Sequence, residues 1–310
     1  MNPHRLKAYL LLLMVAVIWG IAGPVIKITL GKIPPDLFIL YRFLISTLIT
    51  LPFFLVKGIK IPKEKISRLE LASYCLLNSS VTLGLLFWGT AKTSLLSMSL
   101  IELLGPLLLM AAGFLFLKDQ ITKREKIGAL IAFAGAGITG LSPLLGTGHR
   151  DGELFGNFLI FLSLISGAVC GVLAKKLMRK DISPALLANL SFLVGFITTF
   201  PFVIFNHGFS YALTPLTSAS VGTWLVIFYM ALISGNLAYI LNNMGQKTIE
   251  LSEAAPFAYL YPLFSALLAI VFLGDKLTFT LAAGSVMTLA GVLIAETKTR
   301  LEIVKKKRYN

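Results

Sequence analysis

Three charged residues interrupt stretches that are otherwise apolar, and they pose the first chemical question. Glu102, Arg42 and Lys27 each lie inside a run long enough to cross a bilayer. An isolated charge near the bilayer centre costs about 2.5 to 3.5 kcal/mol on insertion scales, so such groups face the interior and pair, or meet a substrate. Glu102 lies about eight residues, or roughly 12 Å, below the end of its run. Arg42 lies about seven residues deep and Lys27 about four, all on the same side. The expectation is a pair between Glu102 and Arg42 or Lys27 that breaks when a gate opens. A static ion pair and a protonatable coupling carboxylate are the alternatives.

A second group of candidates is polar but uncharged. Asn236, Tyr239, Asn243 and Gln246 follow one another in steps of three, four and three, which puts them on one stripe of a helix. Asn78, Ser79, Ser80 and Thr82, with Trp88, form a weaker set further upstream. These side chains could line a cavity or join helices, since interhelical hydrogen bonds within membranes average about 0.6 kcal/mol. Trp19, Trp88, Tyr259 and Tyr261 could stack on a substrate, with packing or interfacial anchoring as the alternative. Pro106 and Pro262 fall near the middle of two runs, where each removes a backbone hydrogen bond and opens a kink; interrupted helices at corresponding positions point to a transport site.

Enzyme chemistry finds little support. His4, His149 and His207 lie outside the apolar runs, and Glu102 is the only acidic residue deep within one, so neither a metal cluster nor a carboxylate dyad is available there. Cys75 and Cys170 sit inside apolar runs and read as packing residues. No catalytic residue, metal or cofactor is implied.

The elements that must position these groups follow from composition. Of 310 residues, 56% are hydrophobic and 14% charged, and the mean hydropathy is +0.85, values of an integral membrane protein of helices. Ten apolar segments emerge, near residues 8–30, 35–56, 69–90, 94–117, 125–144, 154–174, 184–205, 221–246, 252–273 and 277–295. With the N-terminus inside, 22 of the 28 Lys and Arg fall on the cytoplasmic side and four on the other, which places both termini in the cytoplasm. The net charge of +14 is therefore a membrane signal, and nucleic acid is excluded as a partner. Small residues at Gly128, Ala132, Ala136 and Gly140, and at Ser163, Gly167 and Gly171, predict close helix contacts. Thr122 and Glu125 have the spacing of a capping box, with Asp119 as a turn or cap residue.

The chain also repeats itself. At an offset of 156 residues, 85–140 aligns without a gap to 241–296 with 14 identities, among them Gly89 with Gly245, Pro106 with Pro262, Asp119 with Asp275 and Gly128 with Gly284. Upstream, Pro35 pairs with Pro184, and by this looser pairing Lys27 falls near Ala174 and Arg42 near Ser191. Five spans per half is an odd number, so the halves, 1–145 and 146–310, must be inverted repeats, the architecture of alternating-access carriers.

The tandem five-span units, Trp19-Gly20 with Lys27 near the far end of the first span, Arg42 in the second, and the Leu-Lys-Asp and Leu-Gly-Asp turns at 117–119 and 273–275 resemble the EamA-domain family of the drug/metabolite transporter superfamily. The resemblance implies an all-α permease of ten transmembrane helices. It also implies movement of amino acids or other small metabolites, usually outward across the cytoplasmic membrane of a prokaryote. An uptake permease of the same fold and a channel or receptor are the alternatives. The expected partners are a small-molecule substrate and the lipid bilayer, with the chain a monomer or weak homo-oligomer.

Overall fold

The computed structural model describes residues 3–57, 68–93, 95–141, 153–261, 263–265 and 279–296. Every regular element among them is helical. That is what a chain with long apolar runs must do in lipid, where no water satisfies the backbone and each helix supplies its own hydrogen bonds. In chain order the helices are α1 (Pro3–Leu30), α2 (Pro35–Lys57), α3 (Arg68–Lys92), α4 (Leu95–Glu102), α5 (Leu104–Leu117) and α6 (Lys123–Leu141). They continue with α7 (Glu153–Arg179), α8 (Pro184–His207), α9 (Phe209–Ser218), α10 (Val221–Thr248), α11 (Leu251–Ala254) and α12 (Phe279–Glu296). Six of these, α1 to α3, α7, α8 and α10, are long and apolar enough to cross a membrane; Leu104–Leu117 and Ala282–Ala295 are shorter apolar helices.

Local signals in the sequence set several boundaries. Pro35 and Pro184 each open a helix, where the missing N–H costs nothing, and the Ser183 hydroxyl accepts from the Leu186 amide at 3.1 Å. The capping box closes as its spacing predicts: Glu125 Oε2 accepts from the Thr122 amide at 2.6 Å, and Thr122 Oγ1 accepts from the Glu125 amide at 3.1 Å. Pro106 has no N–H to give the carbonyl of residue 102, and the helix breaks there, with Leu103 standing between α4 and α5. The opposite interruption, aligned with it in the repeat, is a 3₁₀ stretch, Ala255–Leu260, after α11. Its proline mate, Pro262, lies outside the described residues, as do Asp275 and residues 297–310.

Two further irregularities occupy matching places. Inside α3 the segment Leu76–Leu83 is π-helical, and inside α10 so is Tyr229–Leu237. A π stretch adds a residue to the turn, which rotates the side chains after it relative to an α-helical count.

The packing partners are α6 with α12, α3 with α7, α1 with the second half of α10, and α2 with α8. In the α6–α12 contact two residues of the expected face take part, Gly128 against Gly291 and Ala295 and Ala132 against Gly291, and Gly135, outside that spacing, meets Gly284 and Thr288. A Cβ on Gly135 would stand 2.5 Å from the Thr288 nitrogen and 2.8 Å from the Gly284 oxygen, whereas one on Gly137 meets only Leu103 at 3.9 Å. Both Gly→Ala changes gain a similar helix propensity, so their difference isolates packing. Gly135→Ala should lower the melting temperature of the purified protein in detergent, at a cost of about 1–3 kcal/mol. Gly137→Ala should leave it unchanged or raise it. Equal melting temperatures would contradict the contact.

Candidate functional site

The charges within the helices find partners of several kinds. Lys27 donates to the Thr90 carbonyl at 2.8 Å and the Thr93 carbonyl at 2.5 Å, closing the end of α3. Lys175 closes the end of α10 in the same way, donating to the carbonyls of Gln246, of Lys247 at 3.1 Å and of Ile249 at 2.7 Å. These acceptors are repeat mates, since Thr90 and Thr93 plus 156 are Gln246 and Ile249. Lys175 therefore answers Lys27, one position beyond the uncharged Ala174 that sequence pairing suggests. Arg5 pairs with Glu253, which also accepts from the Tyr9 hydroxyl at 2.5 Å, and Asp119 accepts from the Ser252 amide at 3.1 Å.

Arg42 and Glu102 are different. The expected ion pair of Glu102 with Arg42 or Lys27 is not formed, because Lys27 is spent on carbonyls and Arg42 is held between rings. Its Cζ lies 5.5 Å from the Phe87 centroid and 5.9 Å from that of Phe192, a cation–π arrangement. Arg42 is 2% exposed, and its Nε has no hydrogen-bond partner. Glu102, on the last turn before the break made by Pro106, makes no hydrogen bond or ion pair among the described residues.

Both face the same space. One cavity, of about 240 Å³, is lined by Arg42, Glu102, Trp19, Ser234, Tyr239 and Tyr261, with the C-terminal half of α1 (Ala22 to Ile26) along its wall. A second, of about 250 Å³, reaches toward the other end of α1 at Leu12 and is lined by Tyr74, Asn78, Asn242, Asn243 and Gln246. The cavities share Trp19, Leu86, Glu102, Tyr239 and Tyr261, which form a waist between them. At the waist the Trp19 ring meets Tyr239 edge-on at 5.2 Å and Tyr261 at 5.9 Å. The indole N–H is fixed on the Ser234 carbonyl at 3.0 Å, within the π stretch of α10.

Of the candidates read from the sequence, Trp19, Arg42, Glu102 and Tyr239 meet in the first cavity, and Asn78 and Asn243 line the second with Tyr239, Trp19 and Glu102. Lys27 caps α3 and lines neither cavity. Trp88 is 38% exposed on the outer surface, and Pro106 is buried beside the site, which it shapes through the break. Asn236 turns to α8, donating to Asn189 Oδ1 at 3.0 Å. Tyr259 packs on Phe133, and Tyr261 takes the cavity position instead. Ser163, Gly167 and Gly171, expected as a helix contact, line the second cavity, although Gly171 also sits tightly against Leu109. Tyr74 and Ser234 carried no signal in the sequence that marked them.

Comparison with known proteins agrees with this architecture. A solved crystal structure superposes with a TM-score of 0.76 over 93% of this chain and 97% of that one at 17% identity, which shows the shared fold. The uncharacterized transporter YyaM of Bacillus subtilis (strain 168) is 26% identical over 96% of each chain. A probable amino-acid metabolite efflux pump of Salmonella typhimurium is 25% identical over 92% of this chain and 93% of that one. The model of the EamA-like transporter family matches residues 6–141 and 154–297. With helices able to cross a membrane and both halves matched, this chain belongs to the EamA-like transporter family and is a multi-pass membrane protein.

Proposed function

We propose that this protein is a secondary transporter that moves small metabolites, amino acids foremost, outward across the cytoplasmic membrane of a prokaryote by alternating access. It does so with ten spans arranged as two inverted five-helix repeats, 1–145 and 146–310, both termini in the cytoplasm. The observation that carries the reading is the waist: two cavities directed to opposite ends of α1 share Trp19, Leu86, Glu102, Tyr239 and Tyr261. A carrier needs one site reachable from either side in turn, whereas a channel needs a continuous path.

Symmetry supports the inversion. Lys27 with the end of α3 and Lys175 with the end of α10 are equivalent contacts, as are Gly128 with Gly291 and Gly135 with Gly284. The π stretches of α3 and α10 also correspond. The amino-acid assignment draws on the name of the Salmonella relative and on the polar and aromatic lining. Direction is set by gradients, so uptake by the same path is the second reading.

Orientation is tested at Ser210, exposed on α9, in a connector from Asn206 to Ser220 without Lys or Arg. A lone cysteine there should react with an impermeant maleimide on intact cells. Labelling only after lysis would invert the topology.

Asn243 is 3% exposed, with its Nδ2 unpartnered in the second cavity. Asn243→Leu should reduce counterflow in proteoliposomes at least tenfold with the folded yield preserved. Tyr259→Ala, which removes a ring 1% exposed in the core, should instead lower the folded yield, in line with the roughly 3–5 kcal/mol of large core truncations. The reverse pattern would place the site at Tyr259.

A further inference from the structure

Two titratable side chains, Arg42 and Glu102, border one cavity, and neither makes a hydrogen bond or an ion pair among the described residues. Arg42 offers five N–H donors and no acceptor. Phe87 and Phe192 lie near the guanidinium carbon, but ring faces accept no directed hydrogen bond as strong as a carboxylate does, and the Nε–H is left without a partner. Glu102, when ionised, offers acceptors only, and it too makes no bond among the described residues. The hydroxyls of Tyr239 and Tyr261, which line the same cavity, are likewise without hydrogen bonds among the described residues. With Glu102 ionised, the charges that complete the site are one anion at Arg42 and one cation at Glu102.

We propose that Arg42 and Glu102 are the two poles of a single subsite for a zwitterionic metabolite, Arg42 taking its carboxylate and Glu102 its ammonium group. The assignment rests on the transport reading and deepens it. Other charge classes fit less well. A dianion or phosphate ester would set negative charge beside Glu102, and an organic cation would set positive charge beside Arg42. A neutral apolar compound would leave both groups unanswered. Only a dipolar molecule meets both poles while adding no net charge to a low-dielectric site. The fork of the guanidinium matches the plane of a carboxylate and favours a bidentate contact. Leu83, Leu86 and Met98, with the Trp19 ring, leave an apolar wall for the side chain of such a substrate.

The test compares leucine with two analogues that each lack one pole: leucinamide, without the carboxylate, and 4-methylpentanoate, without the ammonium group. Binding to the purified full-length protein is measured by ligand-dependent thermal shift, and transport by counterflow in proteoliposomes. Leucine should bind at least tenfold tighter than either analogue. In Glu102→Gln the preference over 4-methylpentanoate should fall below threefold while that over leucinamide persists. Arg42→Gln should show the converse. Arg42→Lys, which keeps the charge and loses the fork, serves if the glutamine variant does not fold, and should retain part of the preference over leucinamide. Leucinamide binding as tightly as leucine would overturn the role of Arg42, and equal binding of 4-methylpentanoate that of Glu102. No binding of leucine at all would overturn the subsite. Selective binding without counterflow would keep the subsite and refute transport.

Discussion

A bilayer gives a buried charge or an open backbone carbonyl no water to lean on, and most of this structure follows from that constraint. Where helices end inside the protein, the last carbonyls need donors, and two lysines supply them. Lys27 reaches the end of α3 and Lys175 the end of α10. Each contact satisfies an ammonium group and a helix terminus at once. It also ties the first helix of one half to the third of the same half, or the sixth span to the eighth in the proposed numbering. Against that background of internal satisfaction, Arg42 and Glu102 stand out among the described residues as titratable side chains that face a cavity without a hydrogen bond or ion pair.

The backbone irregularities serve the same site. Pro106 breaks the helix after Glu102, so the carboxylate sits at an interruption rather than on a continuous apolar face. The π stretch of α10 carries Ser234, whose carbonyl holds the Trp19 indole at the waist. The corresponding stretch of α3 carries Asn78, which donates to Ser191 Oγ at 3.0 Å while lining the second cavity. Irregular helix geometry is tolerated in lipid where it borders a cavity, and here each instance does.

Sequence patterns that depend on near neighbours were legible. The apolar runs, the Thr122–Glu125 capping box and the small-residue face of α6 all follow from periodicity or short spacing, and the helices form accordingly. Two kinds of feature were not legible. Lys27 donates to two backbone carbonyls, which every residue possesses and no residue type announces, whereas the side-chain pattern alone points to Glu102. Phase was the second difficulty. The π stretch in α10 turns Asn236 toward Asn189 while Tyr239 and Asn243 face the cavities, and the 3₁₀ stretch Ala255–Leu260 makes Tyr261 rather than Tyr259 the lining residue. A stripe counted at 3.6 residues per turn fails wherever the helix is not α.

In the proposed carrier one waist separates two cavities that open in turn. That alternation is tested most directly by sided cysteine accessibility in oriented proteoliposomes, with Met98→Cys in the first cavity and Ser163→Cys in the second, both on a cysteine-free background. Adding substrate to one side should change the two modification rates in opposite directions, each cysteine reacting from its own side only. Simultaneous reaction of both cysteines with reagent from a single side would contradict alternating access and describe a channel.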